Sequence, residues 1–337
     1  MVAPERTGVE VDTGEVPVFW IPRATGKPLV NTNPLSPVEL WRTLRLMVDG
    51  ERLLLRTMRE QSIEVCLAMW AVPSGYLAWR VSARSGVPYA VWALGSDINS
   101  MARYPVLRSL IRRVLRGARW RFADGIALAE RTRLIAGMDC QFLPTTRSFP
   151  PSDERVELAG KVRFLFVGRL ERVKGIDVLI AAMARLRDVP GIHLYVIGGG
   201  SLEHEVAAQI ASSGLGNVVT LVPRGTAAQL AAYMKACECL VIPSRKESIP
   251  VVFSEALQVG IPLLVTDAGD MGTLAREHHL AAPVPAADPA ALAEAMRTFA
   301  ADPGEQRRRF DAARPELLKI FDLEAIADHF LSAVGIM

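Results

Sequence analysis

The sequence predicts an α/β protein built from two Rossmann-like domains, each a doubly wound parallel sheet flanked by helices. Three observations support this fold class. The chain has 337 residues, which is room for two domains of ordinary size. Half of its residues are apolar, which is enough for a sizeable core. Short apolar runs alternate with segments of helical spacing in both halves, and this alternation is typical of parallel sheets.

The second half carries the clearer alternation, and we place its domain at residues 151–320, after a linker at Ser148–Glu154. Its first strand, Val162–Val167, is a near-continuous apolar run, as expected of a strand buried on both faces. Predicted strands follow at His193–Ile197, Val218–Leu221, Cys239–Ile242 and Pro262–Thr266, and predicted helices at Ile176–Leu186, Leu202–Ser212, Gln229–Ala236 and Ser254–Gln258. A last predicted helix, Leu323–Val334, lies in a C-terminal segment, 321–337, that could pack back on the N-terminal domain.

The first half, residues 1–150, is assigned to a less regular N-terminal domain. Its predicted strands are Val16–Ile21, Ile63–Met69, Tyr89–Leu94, Gly125–Ala129 and Gln141–Leu143, and its predicted helices are Glu39–Arg59, Gly75–Ser85 and a long basic helix within Arg103–Arg121. By the same pattern Trp70 and Trp92 are assigned to the core. Ligands of such sheets bind at the carboxyl ends of the strands, so we look for chemistry there.

Composition excludes several classes of protein. Thirty-nine basic against 36 acidic residues is too balanced for a dedicated nucleic-acid binder. Four cysteines make neither a disulfide framework nor a zinc pattern, and all five histidines follow residue 192. The start has no signal-peptide pattern and no apolar run is long enough to span a bilayer, so a cytoplasmic location is expected.

The segment Gly168–Gly175 (GRLERVKG) joins a predicted buried strand to a helix. The free N–H groups at a helix start favour anions, and Arg169 and Lys174 add two cations. This combination is typical of a pyrophosphate site, although the spacing is neither GxGxxG nor a P-loop. From these eight residues alone, a solvated charged turn is an equally good interpretation.

Two glutamates, Glu247 and Glu255, are separated by seven residues near the end of the strand Cys239–Ile242. Both carboxylates then border one cleft, where they could bind the hydroxyls of a sugar and of a ribose. The alternative is that Glu247 caps the following helix and that Glu255 lies exposed on the surface.

These motifs occur in order: GR-x₄-KG, a Gly198–Gly200 turn, and P-S-x₂-E-x₇-E. Together they resemble the nucleotide-binding domain of GT-B glycosyltransferases, most of all the retaining family 4 with its EX₇E signature. Trp70–Gly75 (WAVPSG) and Leu94–Ile98 (LGSDI) are similar to the family's W-A-x-P-S-G and H-G-S-D-I stretches. The resemblance implies a GT-B architecture with an acceptor-side N-terminal domain and a C-terminal domain for the nucleotide sugar.

The resemblance also implies roles for individual residues. Arg169 and Lys174 would bind the donor diphosphate and stabilise charge on the leaving group, and Glu247 would contact the donor sugar. Glu255 would hold the ribose hydroxyls. The other implied donor-binding residues are Gly168, Gly198, Gly199, Ile249, Pro250, Val251 and, beside the base, Arg224. The family needs no bound metal and the chain has no D-x-D motif, so no cofactor is expected besides the donor, whose base (UDP, GDP or ADP) stays open.

Two departures from the family pattern stand out. Leu94 occupies the position of the histidine in H-G-S-D, which leaves Asp97 as the polar group at that strand end, either as a site residue or as a turn cap. Residues 1–15 are polar, and no strand is predicted there. We therefore expect the N-terminal domain to lack its first βα unit, through truncation or natural reduction.

The stretch Arg103–Arg121 holds seven arginines. On a helix, its apolar residues fall on one side, and Arg108, Arg112, Arg116 and Arg119 fall opposite. Such a helix suits an anionic membrane surface, and a solvated arginine face is the plainer interpretation.

We therefore predict a retaining hexosyltransferase that moves a hexose from a nucleoside-diphosphate sugar to a lipid-linked or saccharide acceptor. The process would be cell-envelope or exopolysaccharide synthesis, in the cytoplasm or at the inner face of the plasma membrane. The alternative is a non-catalytic nucleotide-sugar-binding protein or partner subunit.

Overall fold

The computed structural model of the chain describes residues 1–4, 17–21, 37–149, 153–280 and 282–336. The chain forms two compact units. The first comprises Met1–Ala123 and Leu128–Phe142, and the second comprises Asp124–Ala127 and Leu143–Met337.

The first unit is a parallel sheet with helices between its strands. Its elements are β1 (Val2–Pro4), β2 (Phe19–Ile21), α1 (Pro37–Glu60), β3 (Cys66–Met69), α2 (Ser74–Ser85), β4 (Tyr89–Ala93), α3 (Ser96–Asn99), α4 (Pro105–Gly117), β5 (Trp120–Ala123), α5 (Ile126–Ala136), whose first two residues belong to the second unit, and β6 (Gln141–Phe142). The main sheet has the order β3-β4-β5-β6, and β1 pairs separately with β2. Strand β4 is the best buried of these strands, with Ala90, Val91 and Ala93 fully inaccessible to solvent.

Two predictions for this unit are wrong. Gly125–Ala129 is not a strand, since α5 begins at Ile126 and the strand is Trp120–Ala123, inside the predicted basic helix. A short apolar run does not distinguish strand from helix, and the spacing of the buried residues Leu128, Thr132 and Ala136 is helical.

A strand, β1, does occur within residues 1–15. The expected loss of the first βα unit stays a prediction, because residues 5–16 and 22–36 lie outside the described part of the chain.

The second unit is a five-stranded parallel sheet covered by helices on both faces. Its elements are β7 (Val162–Val167), α6 (Ile176–Ala184), β8 (Ile192–Ile197), α7 (Glu203–Ser212), β9 (Val219–Val222), α8 (Ala227–Ala236), β10 (Cys239–Ile242), α9 (Val251–Val259), β11 (Leu263–Val265), α10 (Gly269–Glu277), α11 (Pro289–Ala301), α12 (Pro303–Ile320) and α13 (Leu323–Val334). The strand order is β11-β10-β7-β8-β9.

This order reverses direction at β7. The chain builds β8 and β9 on one side of β7 and then returns to place β10 and β11 on the other side. The helices that follow β7 and β10, α6 and α9, therefore lie on opposite faces of the sheet, and ligands of such sheets bind at the carboxyl ends of the strands. The core beneath is apolar, with Phe164 of β7 packed edge-on against Phe299 of α11 at a ring separation of 5.7 Å.

The second unit includes two segments that the sequence analysis placed elsewhere or left open. The segment that follows β6 belongs to it from Leu143 onward, because residues 146–149 form hydrogen bonds with α9. The last helix, α13, also belongs to it. None of the described helices combines the length and the apolar character that crossing a bilayer requires.

Candidate functional site

A cleft of about 900 Å³ lies at the carboxyl ends of β7, β8 and β9. The last residue of each strand forms its floor: Val167, Ile197 and Val222. Its walls include the predicted site residues Gly168, Arg169, Gly198, Gly199, Arg224 and Glu255, together with Arg147, Glu154, Arg155, Gln229 and Tyr233. Residues from four separate loops and two helices, α8 and α9, thus line a single depression at the ends of parallel strands.

Two glycines allow the backbone loops to meet at this edge. Gly198 has φ +148°, and a Cβ there would lie 1.9 Å from the carbonyl oxygen of Gly168. Gly175 has φ +71°, and its Cβ would lie 1.9 Å from the carbonyl oxygen of Pro243. A side chain at either position would push neighbouring strand-end loops apart, so both glycines are required by the close approach of backbone.

The loop after β7 presents cations next to a helix start. Helix α6 begins after Gly175, and no side chain caps its first N–H groups. Arg169 lies on the cleft wall with a mostly exposed side chain, and its Nη1 donates a hydrogen bond of 2.6 Å to Glu171. This pair is solvent-exposed and therefore weak, so an anionic ligand can take the guanidinium at little cost.

Lys174 and Glu247 form an ion pair between the loops that follow β7 and β10. Both side chains are about four-fifths buried, and Ser244 Oγ donates a second hydrogen bond of 3.3 Å to Glu247 Oε2. Among the described residues, neither partner lines the cleft. The predicted catalytic set is therefore divided in this structure, with Arg169 on the cleft wall and the Lys174–Glu247 pair beside it.

Glu255, on the second turn of α9, is buried with 3% of its surface exposed. The interpretation of this residue as an exposed surface glutamate is therefore wrong. Arg147 Nε donates a hydrogen bond to Glu255 Oε1. Burial raises the pKa of Glu255, and the charge and hydrogen bond of Arg147 offset part of that rise. The cleft thus contains a buried carboxylate beside a guanidinium.

The residues predicted to present backbone amides to the donor lie at the start of α9. Pro250 is the N-cap residue, Val251 is the first helical residue, and no side chain caps this end. Ile249 is buried. Among the described residues, none of these three lines the cleft described above.

Comparison with known proteins identifies this part of the chain. Residues 152–316 match the family model described as glycosyl transferases group 1. This part of the chain belongs to the glycosyl transferases group 1 family. It contains Arg169, Lys174, Glu247 and Glu255, whereas Arg147 precedes it.

Curated relatives of this chain are named as a glycosyltransferase and as a glycogen synthase. The chain is 29% identical over 261 residues to a putative teichuronic acid biosynthesis glycosyltransferase of Bacillus subtilis, covering 73% of this chain and 64% of that protein. It is 30% identical over 204 residues to a glycogen synthase of Mycobacterium tuberculosis, covering 60% of this chain and 48% of that protein. The chain therefore spans between about half and two thirds of the length of these relatives.

Solved structures share the fold. HepE of Anabaena, crystallised in complex with UDP, matches with a TM-score of 0.73 at 17% identity, over 95% of this chain and 86% of that chain. This likeness shows the GT-B class of fold, built from Rossmann-like parallel sheets, as the sequence predicted.

Within this glycosyl transferases group 1 segment, Arg245 holds the loops around Lys174 and Glu247 together. Its guanidinium donates to both oxygens of Asp177 at 2.6 and 2.7 Å and to the carbonyl oxygen of Arg172 at 2.6 Å. Burial raises the pKa of Asp177, but the hydrogen bonds and charge of Arg245 outweigh it, and the net pKa is lowered. Sequence analysis missed Arg245. Its place in the motif P-S-x₂-E, two residues before Glu247, was the signal in the sequence that could have indicated it.

Outside the family segment, Asp97 is fully buried at the end of β4. Its Oδ2 accepts a hydrogen bond of 2.7 Å from the backbone N–H of Ala71, which follows β3. Burial raises the pKa of this carboxyl group. The contact ties the segments that follow β3 and β4 together, and the role of Asp97 as a site residue stays a prediction. Trp70, predicted to be core, is 39% exposed, because its φ of +67° turns it out of the strand.

Proposed function

We propose that this protein is a retaining glycosyltransferase that moves a hexose from a nucleoside-diphosphate sugar to a saccharide or lipid-linked acceptor in cell-envelope or exopolysaccharide synthesis. The observation that carries the proposal is the cleft in the second unit. Its walls offer the exposed guanidinium of Arg169 and the buried carboxylate of Glu255. A nucleoside diphosphate needs a site for its phosphate anions next to a group that accepts hydrogen bonds from its ribose hydroxyls.

The diphosphate is assigned to the loop after β7. In this assignment Arg169, on the cleft wall, and Lys174, beside the cleft, supply two positive charges, and the start of α6 supplies backbone N–H groups with the positive end of the helix dipole. When the bond between sugar and phosphate breaks, negative charge grows on the leaving diphosphate. Cations already in place stabilise that charge, so the reaction as proposed needs no metal ion.

The sugar and the ribose are assigned to the two glutamates. Glu247 accepts hydrogen bonds from Lys174 and Ser244 in this structure, and a donor-sugar hydroxyl would join this network. Glu255 accepts from the ribose hydroxyls. The loop Val222–Gly225, with Arg224, lines the cleft and is assigned to the base.

The similar proteins support the same substrate class. HepE of Anabaena, whose fold this chain shares, has been crystallised with UDP and with UDP-glucose. The relatives named above are a teichuronic acid biosynthesis glycosyltransferase and a glycogen synthase, which supports a saccharide acceptor.

We also propose that the protein attaches to a membrane surface, and this proposal rests on helix α4. Ile111, Val114 and Leu115 of this helix are buried, whereas its arginines are exposed. Arg108, Arg112, Arg113 and Arg116 form no ion pair with the acidic side chains that the structure describes. Tyr104 and Val106, at the start of the helix, are 65% and 81% exposed. Unpaired cations beside exposed apolar side chains suit an anionic lipid surface.

Nucleotide binding is tested by thermal unfolding with UDP, GDP, ADP and their hexose conjugates. A ligand at 100 times its dissociation constant adds about 2.7 kcal/mol of stability, which raises the melting temperature by several degrees. Lys174→Met should reduce the shift. Lys319→Met, which removes a lysine paired with Glu316 on α12, should leave it unchanged.

Transfer is then tested with the nucleotide sugar that binds, by following release of the nucleoside diphosphate and the anomeric configuration of the product. Turnover with retention supports the proposal. Binding without turnover on any acceptor would contradict the enzymatic part, and the absence of any thermal shift would contradict the donor site itself.

A further inference from the structure

The segment that precedes the family match lies along helix α9. Phe149 N donates a hydrogen bond of 3.0 Å to Gln258 Oε1, and Gln258 Nε2 donates one of 2.9 Å to the carbonyl oxygen of Arg147. Thr146 Oγ1 lies 3.4 Å from Ser254 Oγ. Three contacts in four residues hold this backbone against one face of the helix, so the Arg147 side chain has a defined position.

That position places the guanidinium on Glu255. Arg147 Nε donates to Glu255 Oε1, and the guanidinium carbon lies 5.8 Å from the centre of the Phe149 ring. The carboxylate is 3% exposed, whereas the arginine side chain is 53% exposed, and both residues line the same cleft. The pair therefore has a buried anion at its inner end and a cation at the rim.

Such an arrangement has a chemical consequence. An ionised carboxylate only accepts hydrogen bonds, with about four acceptor positions on two oxygens, and the Nε of Arg147 takes one of them. The remaining positions suit two neighbouring hydroxyl groups, which donate. A buried carboxylate with no nearby cation would instead tend to take up a proton and lose this capacity.

We propose that Arg147 is a positioning residue that holds the Glu255 carboxylate for two ribose hydroxyls, and that the pair makes the cleft select ribonucleotides over 2′-deoxyribonucleotides. The inference rests on the proposed function, because it takes Glu255 as the ribose-binding residue. It adds a residue outside the family segment, 108 positions before its partner.

The test compares dissociation constants, by titration calorimetry, of UDP, GDP and ADP with those of their 2′-deoxy forms. For the nucleotide that binds, the wild type should prefer the ribose form by about tenfold or more, the scale of one hydrogen bond to a charged group. Glu255→Gln and Arg147→Ala should both reduce the preference to less than about threefold. Binding of the 2′-deoxy form, which keeps only the 3′ hydroxyl contact, should weaken less than binding of the ribose form. Arg147→Lys, which keeps the charge with a different donor geometry, should retain part of it.

Arg314→Ala is the matched control. Arg314 also bonds to α9, through the carbonyl oxygens of Leu257 and Gln258, but not to Glu255. It should keep the full preference for ribose. Loss of the preference in this control would mean that any disturbance of α9 has the same effect, and would overturn the inference.

A pH profile separates positioning from general damage. Apart from the Arg147–Glu255 pair, the charged groups that line the cleft are Glu154, Arg155, Arg169 and Arg224. Wild-type affinity should fall as the pH drops through the pKa of Glu255. In Arg147→Ala that fall should begin at a higher pH, because the cation that offsets burial is gone. A uniform loss of affinity at every pH would contradict the proposed role.

The outcomes distinguish the two proposals. If Glu255→Gln binds both sugar forms as the wild type does, the ribose role of Glu255 fails, and with it part of the proposed function. If Glu255→Gln loses the preference but Arg147→Ala and Arg147→Lys keep it, only the role of Arg147 fails. Tighter ribonucleotide binding by Arg147→Ala would mean that the guanidinium blocks Glu255, and would also overturn the inference.

Discussion

Lys174 and Glu247 form an ion pair that joins the loops following β7 and β10, two neighbouring strands that are far apart in sequence. Ser244 adds a hydrogen bond to the same carboxylate. The two residues that were expected to contact the diphosphate and the donor sugar are thus partners of each other. In the proposed function, phosphate and hydroxyl groups of the donor would join this polar network.

Glu247→Gln removes the charge from this pair but keeps the shape of the side chain. We expect sugar transfer to fall at least a hundredfold, because an interaction with the reacting sugar is lost. Nucleoside diphosphate binding should change less than about threefold, since Lys174 is freed rather than removed. Steady-state kinetics measures the transfer rate, and calorimetry measures nucleoside diphosphate binding. Transfer at the wild-type rate by this variant would contradict the role given to Glu247.

Arg245→Met breaks the two-pronged contact with Asp177 and leaves that partly buried carboxylate with the longer ion pair to Arg172, at 3.9 Å. We expect a loss of about 1–3 kcal/mol in the free energy of unfolding, the range for hydrogen bonds to a charged group. Denaturant unfolding measures it. Arg187→Met, at an exposed pair with Asp188, is the control and should change stability little.

The pH dependence of this effect has a definite sign. The folded-state pKa of Asp177 is lowered, so the group stabilises the fold above its unfolded pKa and this stability is lost as the pH falls through the folded pKa. The difference in melting temperature between wild type and Arg245→Met should therefore be largest near neutral pH and shrink below about pH 4. A difference that is constant from pH 7 to pH 3 would contradict the assignment.

Gly175→Ala tests the close approach of the loop after β7 to Pro243. Both Gly175 and Gly214 have a left-handed backbone, with φ of +71° and +66°, but a Cβ at Gly214 meets no atom within 4 Å. Gly214→Ala should cost about 1–2 kcal/mol from backbone strain alone. Gly175→Ala should cost about 1–3 kcal/mol more from the clash, and should also weaken nucleotide binding. Equal losses in the two variants would show that the loops separate freely.

The basic face of α4 is tested with vesicles. Replacing Arg112, Arg113 and Arg116 with glutamine should sharply reduce co-sedimentation with phosphatidylglycerol vesicles, at about 1 kcal/mol for each arginine. Wild-type binding should also weaken with added salt and be absent on phosphatidylcholine vesicles. Replacing Arg307, Arg308 and Arg309 on α12 removes the same charge and should have little effect. Equal effects of the two triple variants would point to net charge rather than to this helix.

The amino-acid sequence by itself determined the parallel-sheet fold and the order of its motifs. Strands Val162–Val167 and Cys239–Ile242 were predicted to the residue, because a strand buried on both faces must be a continuous apolar run. The segment Gly125–Ala129 shows the limit of that signal, since a helix packed on one side can read the same way over five residues.

Only the tertiary structure decided which charged side chains pair. Arg147 meets Glu255, Lys174 meets Glu247 and Arg245 meets Asp177 across separations of 68 to 108 residues. Local periodicity carries no information about such pairs. They depend on β10 returning to lie beside β7 and on residues 146–149 running along α9, and both arrangements are set by the packing of the whole sheet.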